Sequence, residues 1–131
     1  DILESSLRKL ISIKPDHAHA YNALGYTLAD RNQRLEEAQA LIGQALKLSP
    51  DDAFIMDSMG WVLFRQGKGE EGLKYLQRAY SIRPDAEIAA HLGEVLWALG
   101  RRDEARKVWD EALKTTPDSD ALTRTVQRLG K

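Results

Sequence analysis

The sequence predicts an all-α fold, a right-handed α-solenoid of stacked helix hairpins closed by a C-terminal capping helix. Two spacings carry this prediction. Three glycines, Gly25, Gly60 and Gly93, lie 35 and 33 residues apart. The four prolines of the chain keep nearly the same interval, at Pro15, Pro50, Pro84 and Pro117. An interval of about 34 residues is typical of helix hairpins that stack to bury one continuous core.

The first helix of each unit is predicted from apolar residues that recur every three or four positions. In the second unit these are Met56, Met59 and Leu63, which share one helical face with Gly60. Each first helix is expected to end at a residue that tolerates the left-handed conformation, and these residues are Asn32, Gly67 and Gly100.

The second helix of each unit is predicted to begin with two acidic residues and to end before a proline. Negative charge opposes the positive end of the helix dipole, and proline cannot continue a helix. The acidic pairs are Glu36–Glu37, Glu70–Glu71 and Asp103–Glu104. Small residues at facing positions allow two helices to approach closely, so we expect Gly93 to contact Ala105 and Ala112.

The period divides the chain into five segments, which are residues 1–17, 18–52, 53–85, 86–118 and 119–131. The first is interpreted as the second helix of a degenerate preceding repeat, because Leu3 and Leu10 stand where the other units have alanine or glycine. The next three are full units. The first full unit has one extra residue around Arg31 to Leu35, which predicts a longer turn. The last segment is predicted to be the capping helix.

Composition argues against several classes of function. The 131 residues include 19 basic and 20 acidic ones with no basic stripe, so no nucleic acid is expected as a partner. No apolar run approaches the ~18 residues of a membrane span, so no direct membrane insertion by this chain is expected. The chain has no cysteine, and its three histidines lack the spacing of a metal site or of a nucleophile's base. Neither catalysis nor a metal nor a cofactor is therefore expected.

The repeated positions resemble the tetratricopeptide repeat. That family's pattern has an aromatic residue, Leu-Gly and a second aromatic residue, followed by alanine, an aromatic or apolar residue, and proline. The third unit reads Ala89, Leu92, Gly93, Leu96, Ala105, Trp109, Ala112 and Pro117. The resemblance spans about residues 18–117. It implies that the first helices line a concave groove, that the second helices form a convex back, and that the chain is a scaffold for protein binding.

The resemblance places the second, fifth, ninth and twelfth positions of each first helix on the groove, and these positions do share one helical face. With His91 added from the third unit, the candidate partner-binding residues are His19, Asn22, Tyr26, Asp57, Trp61, Phe64, His91, Glu94 and Trp97. We expect Tyr26 and Trp61 to contact the partner, because aromatic rings bury a large area with few rotatable bonds. Burial between neighbouring helices is the alternative, and Phe54 of the same stripe is assigned to packing.

The expected function is a protein–protein interaction module that binds a peptide or partner protein in this groove. The alternative is a structural spacer, or self-association through an apolar face of the first helix at Leu3, Leu7, Leu10 and Ile11. Some members of the family clamp the C-terminal carboxylate of a chaperone with lysine and asparagine side chains. The matching positions in this sequence lack the lysines, which disfavours such a clamp.

Three longer phrases, ALGYTLADR, IMDSMGWVLFRQG and AAHLGEVLWALGRRDEARKVWDEAL, are similar to the C-terminal repeats of proteobacterial outer-membrane lipoproteins built from many such units. Members of that group act as periplasmic adaptors, for example bringing a C-terminal processing protease to its substrates. The resemblance implies a bacterial source, the periplasmic side of the outer membrane, and a periplasmic protease and its substrates as partners. The chain opens in helical register, so we interpret it as a piece of a longer protein. The residues alone leave a cytoplasmic location open.

Overall fold

The protein is all-helical in a computed structural model, which describes residues 1–130. Eight α-helices lie in that range: α1 (Ile2–Ile13), α2 (Ala18–Asp30), α3 (Leu35–Leu48), α4 (Ala53–Arg65), α5 (Gly69–Ile82), α6 (Ala86–Ala98), α7 (Arg102–Thr115) and α8 (Asp120–Leu129). No strand occurs between residues 1 and 130. The predicted all-α class is confirmed. Lys131, the last residue of the predicted cap segment, lies outside the described residues.

The helices are arranged in two layers. Helices α2 and α3, α4 and α5, and α6 and α7 pack as consecutive hairpins. Helices α2, α4 and α6 also contact one another in that order, whereas α3, α5 and α7 make no such contacts among themselves within residues 1–130. The array therefore curves with α2, α4 and α6 on its concave side, which we call the inner layer. Helix α8 packs mainly on α6 and extends the row of inner helices.

Side-chain caps fix where the two later inner helices begin. The Asp52 carboxylate accepts a hydrogen bond from the backbone N–H of Ile55 at 3.2 Å, and the Asp85 carboxylate accepts one from the N–H of Glu87 at 2.9 Å. Such caps satisfy backbone donors that have no partner inside the helix. They set the register of α4 and α6, and with it the face that each helix turns toward the groove.

The turns between paired helices differ in length. The α4–α5 and α6–α7 turns have three residues each, and Gly67 and Gly100 adopt a φ of 84° there. The α2–α3 turn has four residues, with Asn32 at φ 55° and Arg34 at φ 43°. A positive φ is uncommon for arginine. The Arg34 guanidinium pairs with the carboxylate of Glu4 in α1 at 2.5 Å, so this turn contacts the first helix.

Each inner helix approaches its outer partner at a glycine. A Cβ atom added at Gly25 or Gly60 would lie 2.6 Å from a side-chain carbon of Ile42 or Leu76. A Cβ atom added at Gly93 would lie 1.9 Å from Nε1 of Trp109. The three atoms nearest to that position all belong to the Trp109 indole, which is itself buried, a contact that the sequence did not predict.

Burial is greatest in the middle of the array and least at its first helix. Ten of the 13 residues of α4 are buried, whereas α1 has no buried residue. Leu7, Leu10 and Ile11 of α1 are half-buried and Leu3 is exposed. Helix α1 packs on α2, and ion pairs join it to α3 and to the turn before that helix.

No helix within residues 1–130 is long and apolar enough to cross a membrane.

Candidate functional site

Three inner helices bring together four side chains, Tyr26, Asp57, Trp61 and His91, which we call the groove cluster. The His91 Nδ1 atom lies 2.9 Å from Asp57 Oδ1, and its Nε2 atom lies 3.4 Å from the Tyr26 hydroxyl. The imidazole also stacks on the Trp61 indole, with ring centroids 4.2 Å apart and planes 25° apart. One side chain of α6 therefore contacts both α2 and α4.

The charge state of His91 is set by its surroundings. Burial disfavours the imidazolium and lowers the pKa of His91, but the charge of Asp57 and its hydrogen bond raise that pKa more, with help from Glu94 and Asp30. The net result is a His91 pKa above its ordinary value. The imidazolium form donates from Nδ1 to Asp57 and from Nε2 toward the Tyr26 oxygen. Only 16% of the His91 side chain is exposed.

Tyr26 stays protonated in this site. Burial raises the pKa of the Tyr26 hydroxyl, the carboxylates of Asp30, Asp57 and Glu87 raise it further, and Arg65 opposes them. A phenol with a raised pKa is a poor nucleophile at neutral pH. Asp57 and His91 thus orient a hydroxyl that can hydrogen-bond but is not activated for attack, so the arrangement is suited to binding. Within residues 1–130, no three histidine or acidic side chains converge on a possible metal position.

Two recesses flank the contact between Tyr26 and His91. The larger one, which we call the arginine recess, measures about 470 Å³ and lies between the inner helices and α8. Its wall includes Glu87, Glu94, Arg124 and Arg128, and Arg128 pairs with Glu94 at 2.5 Å. A still larger depression of about 690 Å³ lies elsewhere, at the α2–α3 and α4–α5 turns, and has no aromatic lining.

The smaller recess, which we call the acceptor recess, measures about 170 Å³. It lies toward the start of α4 and α6, on the other side of Tyr26 and His91. Its lining residues are Asn22, Ala23, Tyr26, Phe54, Asp57, Ser58, Glu87 and His91. This recess therefore brings His91 together with three other residues predicted from the sequence, which are Asn22, Tyr26 and Asp57.

Trp61 is buried at the base of the groove and is not an exposed anchor. Its side chain is only 4% exposed, and His91 stacks on one part of it while the Arg65 guanidinium lies 5.0 Å from its ring centroid. The indole Nε1 is buried and has no hydrogen-bond acceptor within the described chain. The expectation of direct partner contact at Trp61 is corrected in favour of burial between neighbouring helices. Phe64 is half-buried beside it, with ring centroids 5.4 Å apart.

Three further aromatic side chains of the predicted groove stripe, Trp97, His19 and Phe54, do not belong to the groove cluster itself. Trp97 stacks on Trp109 with ring centroids 5.6 Å apart, and two arginines of α7, Arg102 and Arg106, lie 4.5 and 5.0 Å from the Trp97 ring centroid. Trp97 therefore belongs to the contact between α6 and α7. His19 is exposed in the first turn of α2. Phe54 is 38% exposed, so its assignment to packing is wrong.

The groove contains charged residues that sequence reasoning missed. Asp30 is the last residue of α2, and Arg124 and Arg128 lie one helical turn apart on α8. The sequence already indicated that Arg124 and Arg128 share one face of α8, because residues i and i+4 lie on the same side of a helix. What was missing was the position of α8, which extends the inner row and so brings that face to the groove.

Comparison with known proteins identifies the repeated unit. Two family models, both described as tetratricopeptide repeat, match residues 63–129 and 27–87. A TPR repeat-containing protein of Pseudomonas aeruginosa is 62% identical over 127 residues, which is 97% of this chain and 22% of that protein. Protein arginine N-methyltransferase 9 of Homo sapiens is 37% identical over 83 residues, which is 58% of this chain and 10% of that protein. The chain thus spans 22% and 10% of the length of these relatives.

Solved structures share the fold. A thermophilic TPR protein of Thermus thermophilus superposes with a TM-score of 0.84 at 23% identity, over 98% of this chain and 72% of that chain. A MamA fragment of Desulfovibrio magneticus gives 0.73 at 18% identity, over 89% and 66%. The O-GlcNAc transferase of Thermobaculum terrenum gives 0.67 at 28% identity, over 71% and 18%. The predicted right-handed solenoid of helix hairpins is confirmed.

Proposed function

The chain belongs to the tetratricopeptide repeat family, whose repeats generally serve as scaffolds for protein–protein interaction, and from this premise we propose that it binds a protein or peptide segment in its concave groove. The observation that carries the proposal is the contact of Tyr26 with His91, which is flanked by a recess on each side. A partly exposed aromatic side chain held rigid by its neighbours is a favourable anchor, because little rotational freedom is lost on binding.

A scaffold role also fits the chemistry of the groove cluster better than catalysis does. The hydroxyl nearest to His91 belongs to a phenol whose pKa is raised, and that phenol is not activated as a nucleophile. Repeats of this family are typically non-catalytic, although the arginine methyltransferase and the O-GlcNAc transferase similar to this chain are enzymes. In both of them the matched region is less than a fifth of the protein, so we propose that this chain is not itself an enzyme.

We further propose that the chain works within a larger bacterial envelope adaptor, on the periplasmic side of the outer membrane. This proposal is supported by the similarity of its phrases to outer-membrane lipoproteins, and the 62% identity with the Pseudomonas aeruginosa protein supports its bacterial part alone. On the same basis, a periplasmic protease and its substrates are the proposed partners. Fractionation of cells that produce the parent protein tests this proposal, and recovery of that protein in the cytosol would contradict it.

The groove proposal is tested by comparing Tyr26→Ala with Tyr75→Ala. Tyr75 is an exposed aromatic residue of α5 in the outer layer, so it is a matched control on the convex side. The immobilised chain and both variants, each first shown to be folded by circular dichroism, are exposed to a bacterial envelope extract. The retained protein is then purified and its affinity is measured for all three chains.

We expect Tyr26→Ala to weaken the affinity about tenfold or more, because anchor residues typically contribute about 2 kcal/mol or more to binding. Tyr75→Ala is expected to leave the affinity unchanged. Equal affinity of all three chains would contradict binding in the groove. A chain that retains no protein, and whose mass by sedimentation rises with concentration until Leu3→Ser prevents it, would favour the alternative of self-association through α1.

A further inference from the structure

We propose that the partner presents a cationic side chain, a lysine or an arginine, which enters the acceptor recess between Asn22, Phe54 and Glu87. This inference rests on the groove function proposed above and specifies the chemistry of the partner. It concerns one side chain, because a recess of about 170 Å³ is smaller than the roughly 300 Å³ or more typical of pockets for whole small molecules.

Three side chains of the acceptor recess offer free hydrogen-bond acceptors. The Asn22 side-chain oxygen is buried and receives no hydrogen bond from any described residue. The exposed carboxylate of Glu87 makes no ion pair within residues 1–130. Asp57 uses its Oδ1 atom for His91, which leaves its second oxygen available. A buried acceptor without a donor is unfavourable, so a ligand that supplies several N–H groups is favoured here.

Two lining side chains, His91 and Ser58, already use their donors within the chain. His91 directs Nδ1 to Asp57 and Nε2 to Tyr26, and the Ser58 hydroxyl donates to the backbone carbonyl of Phe54 at 3.1 Å. Within residues 1–130, the lining of the acceptor recess contains no lysine or arginine. The positive charge that would pair with Glu87 must therefore come from the partner.

The walls of the recess suit the rest of a long basic side chain. Tyr26 and Phe54 provide two aromatic rings, and an aromatic face attracts cations while its edge packs against methylene groups. The Phe54 ring already attracts one cation within the chain, since the Arg83 guanidinium lies 5.1 Å from its centroid. The exposed part of Phe54 is the part left for a partner.

The arginine recess differs from the acceptor recess in the charged groups that line it. Both recesses share Tyr26, Glu87 and His91, but the arginine recess also has the guanidinium groups of Arg124 and Arg128 in its wall. An anionic side chain in the acceptor recess would face the unpaired carboxylate of Glu87. A neutral side chain would leave Glu87 unpaired.

The test uses four pools of synthetic nonapeptides. Each pool is random among uncharged residues at all positions but the central one, which is fixed as lysine, arginine, glutamate or alanine. The pools are titrated into the isotope-labelled chain, and the NMR signals of the Asn22 side-chain amide and of the Glu87 backbone report on the acceptor recess. This readout detects millimolar binding, so it does not require the natural partner.

We expect the lysine and arginine pools to shift the Asn22 signal and the alanine and glutamate pools not to shift it. Glu87→Gln should weaken binding of the basic pools about tenfold, because a charge-assisted hydrogen bond becomes a neutral one. Glu70→Gln is the control, since Glu70 lies in the first turn of α5, away from the recess. Glu87→Lys should transfer the preference to the glutamate pool, which a merely structural role of Glu87 would not produce.

Two results would overturn the inference. One is an Asn22 shift of equal size in all four pools. The other is the absence of any Asn22 shift with the lysine and arginine pools at millimolar concentration. Neither result decides the proposed groove function, which is judged separately by the affinity of Tyr26→Ala for the captured partner.

Discussion

His91 shows how much of this groove depends on a single side chain. Its ring contacts residues that are 34 and 65 positions earlier in the chain, at Asp57 and Tyr26, and it also stacks on Trp61. It is therefore the one member of the groove cluster that joins all three inner helices. Its protonation changes both a hydrogen bond and a buried charge at that junction.

The pKa of His91 predicts a pH dependence of stability. Because this pKa is raised in the folded protein, the contribution of protonated His91 is fully present below its unfolded value of about 6.5 and is lost as the pH rises through the folded value. We expect the difference in free energy of unfolding between the native chain and His91→Gln to be larger at about pH 6 than at about pH 9. Urea unfolding of both chains across this range measures it. A constant difference would contradict the prediction.

At the residue scale, the sequence predicted which side of a helix a residue occupies but not what covers it. Helical spacing is local, and it correctly brought Tyr26 and Asp57 to the face where they meet His91. Burial depends on neighbouring helices, so Trp61 was expected at the surface and Phe54 in the interior, and the structure shows the reverse. Trp97 was predicted to line the groove, but its ring is covered by two arginines that belong to another helix, α7.

The repeating element is the hairpin, and the contact between its inner and outer helices joins residues of unequal size. A glycine of the inner helix faces a bulky residue of the outer helix, in the pairs Gly25 with Ile42, Gly60 with Leu76, and Gly93 with Trp109. The sequence predicted a close approach at each glycine. It did not predict that a large side chain fills the gap, because spacing within each helix does not show which residue of the facing helix lies nearest to the glycine.

This contact predicts opposite effects for two substitutions of glycine by alanine. Gly93→Ala would place a Cβ atom 1.9 Å from the Trp109 indole, which is buried and rigid, so we expect the free energy of unfolding to fall by roughly 1–3 kcal/mol. Gly43→Ala is the matched control, because the nearest side-chain atom would be Met59 Cε at 4.0 Å. It removes a flexible residue from inside α3 and should raise stability by roughly 0.5–1 kcal/mol. Urea unfolding compares the two, and a stable Gly93→Ala would show that α6 and α7 can separate at little cost.

Across the whole molecule, stability is expected to be unequal along the array. Helix α4 is flanked by neighbours on several sides, whereas α1 has no buried residue. Helix α1 is attached by ion pairs of Glu4 with Arg34 and of Arg8 with Glu37, at 2.5 and 2.8 Å, and by a further pair at Asp1. Exposed ion pairs contribute little and are screened by salt.

Amide hydrogen exchange should reveal this gradient. We expect the amides of α1 to exchange fastest and those of α4 slowest, and about 1 M salt should accelerate exchange more in α1 than in α4. Glu4→Gln should have a similar effect on α1. The matched control is Glu104→Gln, since Glu104 pairs with Arg101 within the start of α7 and joins no two helices. Equal protection of α1 and α4, or an α1 indifferent to salt, would contradict the prediction.

Low pH should also weaken the attachment of α1 to the rest of the array. The hydrogen bond from Arg34, followed by that from Arg8, lowers the pKa of Glu4 to about 2. The contribution of a carboxylate with a lowered pKa is present above its ordinary value and is lost as the pH falls through the folded value. The ion pairs of Glu4 are therefore expected to persist at the ordinary glutamate pKa of 4.5 and to fail toward pH 2, which the exchange rates of the α1 amides would record.

At the scale of the whole molecule, the regular spacing of Gly25, Gly60 and Gly93 was sufficient to predict a stack of hairpins, because each hairpin can bury its apolar face only on the next one. The same spacing could not predict the charges of the groove. Arg124 and Arg128 reach it only because α8 extends the inner row, and the sequence identified α8 as a cap without saying which layer it joins.

The stacking of His91 on Trp61 also gives the groove an optical property. An imidazolium in contact with an indole quenches its fluorescence, and these two rings lie 4.2 Å apart at the base of the groove. A ligand that displaces His91, or draws it toward Tyr26, changes the distance between fluorophore and quencher. The emission of Trp61 should therefore report occupancy of the groove without any added dye, against a background from Trp97 and Trp109, which stack on each other away from the groove cluster.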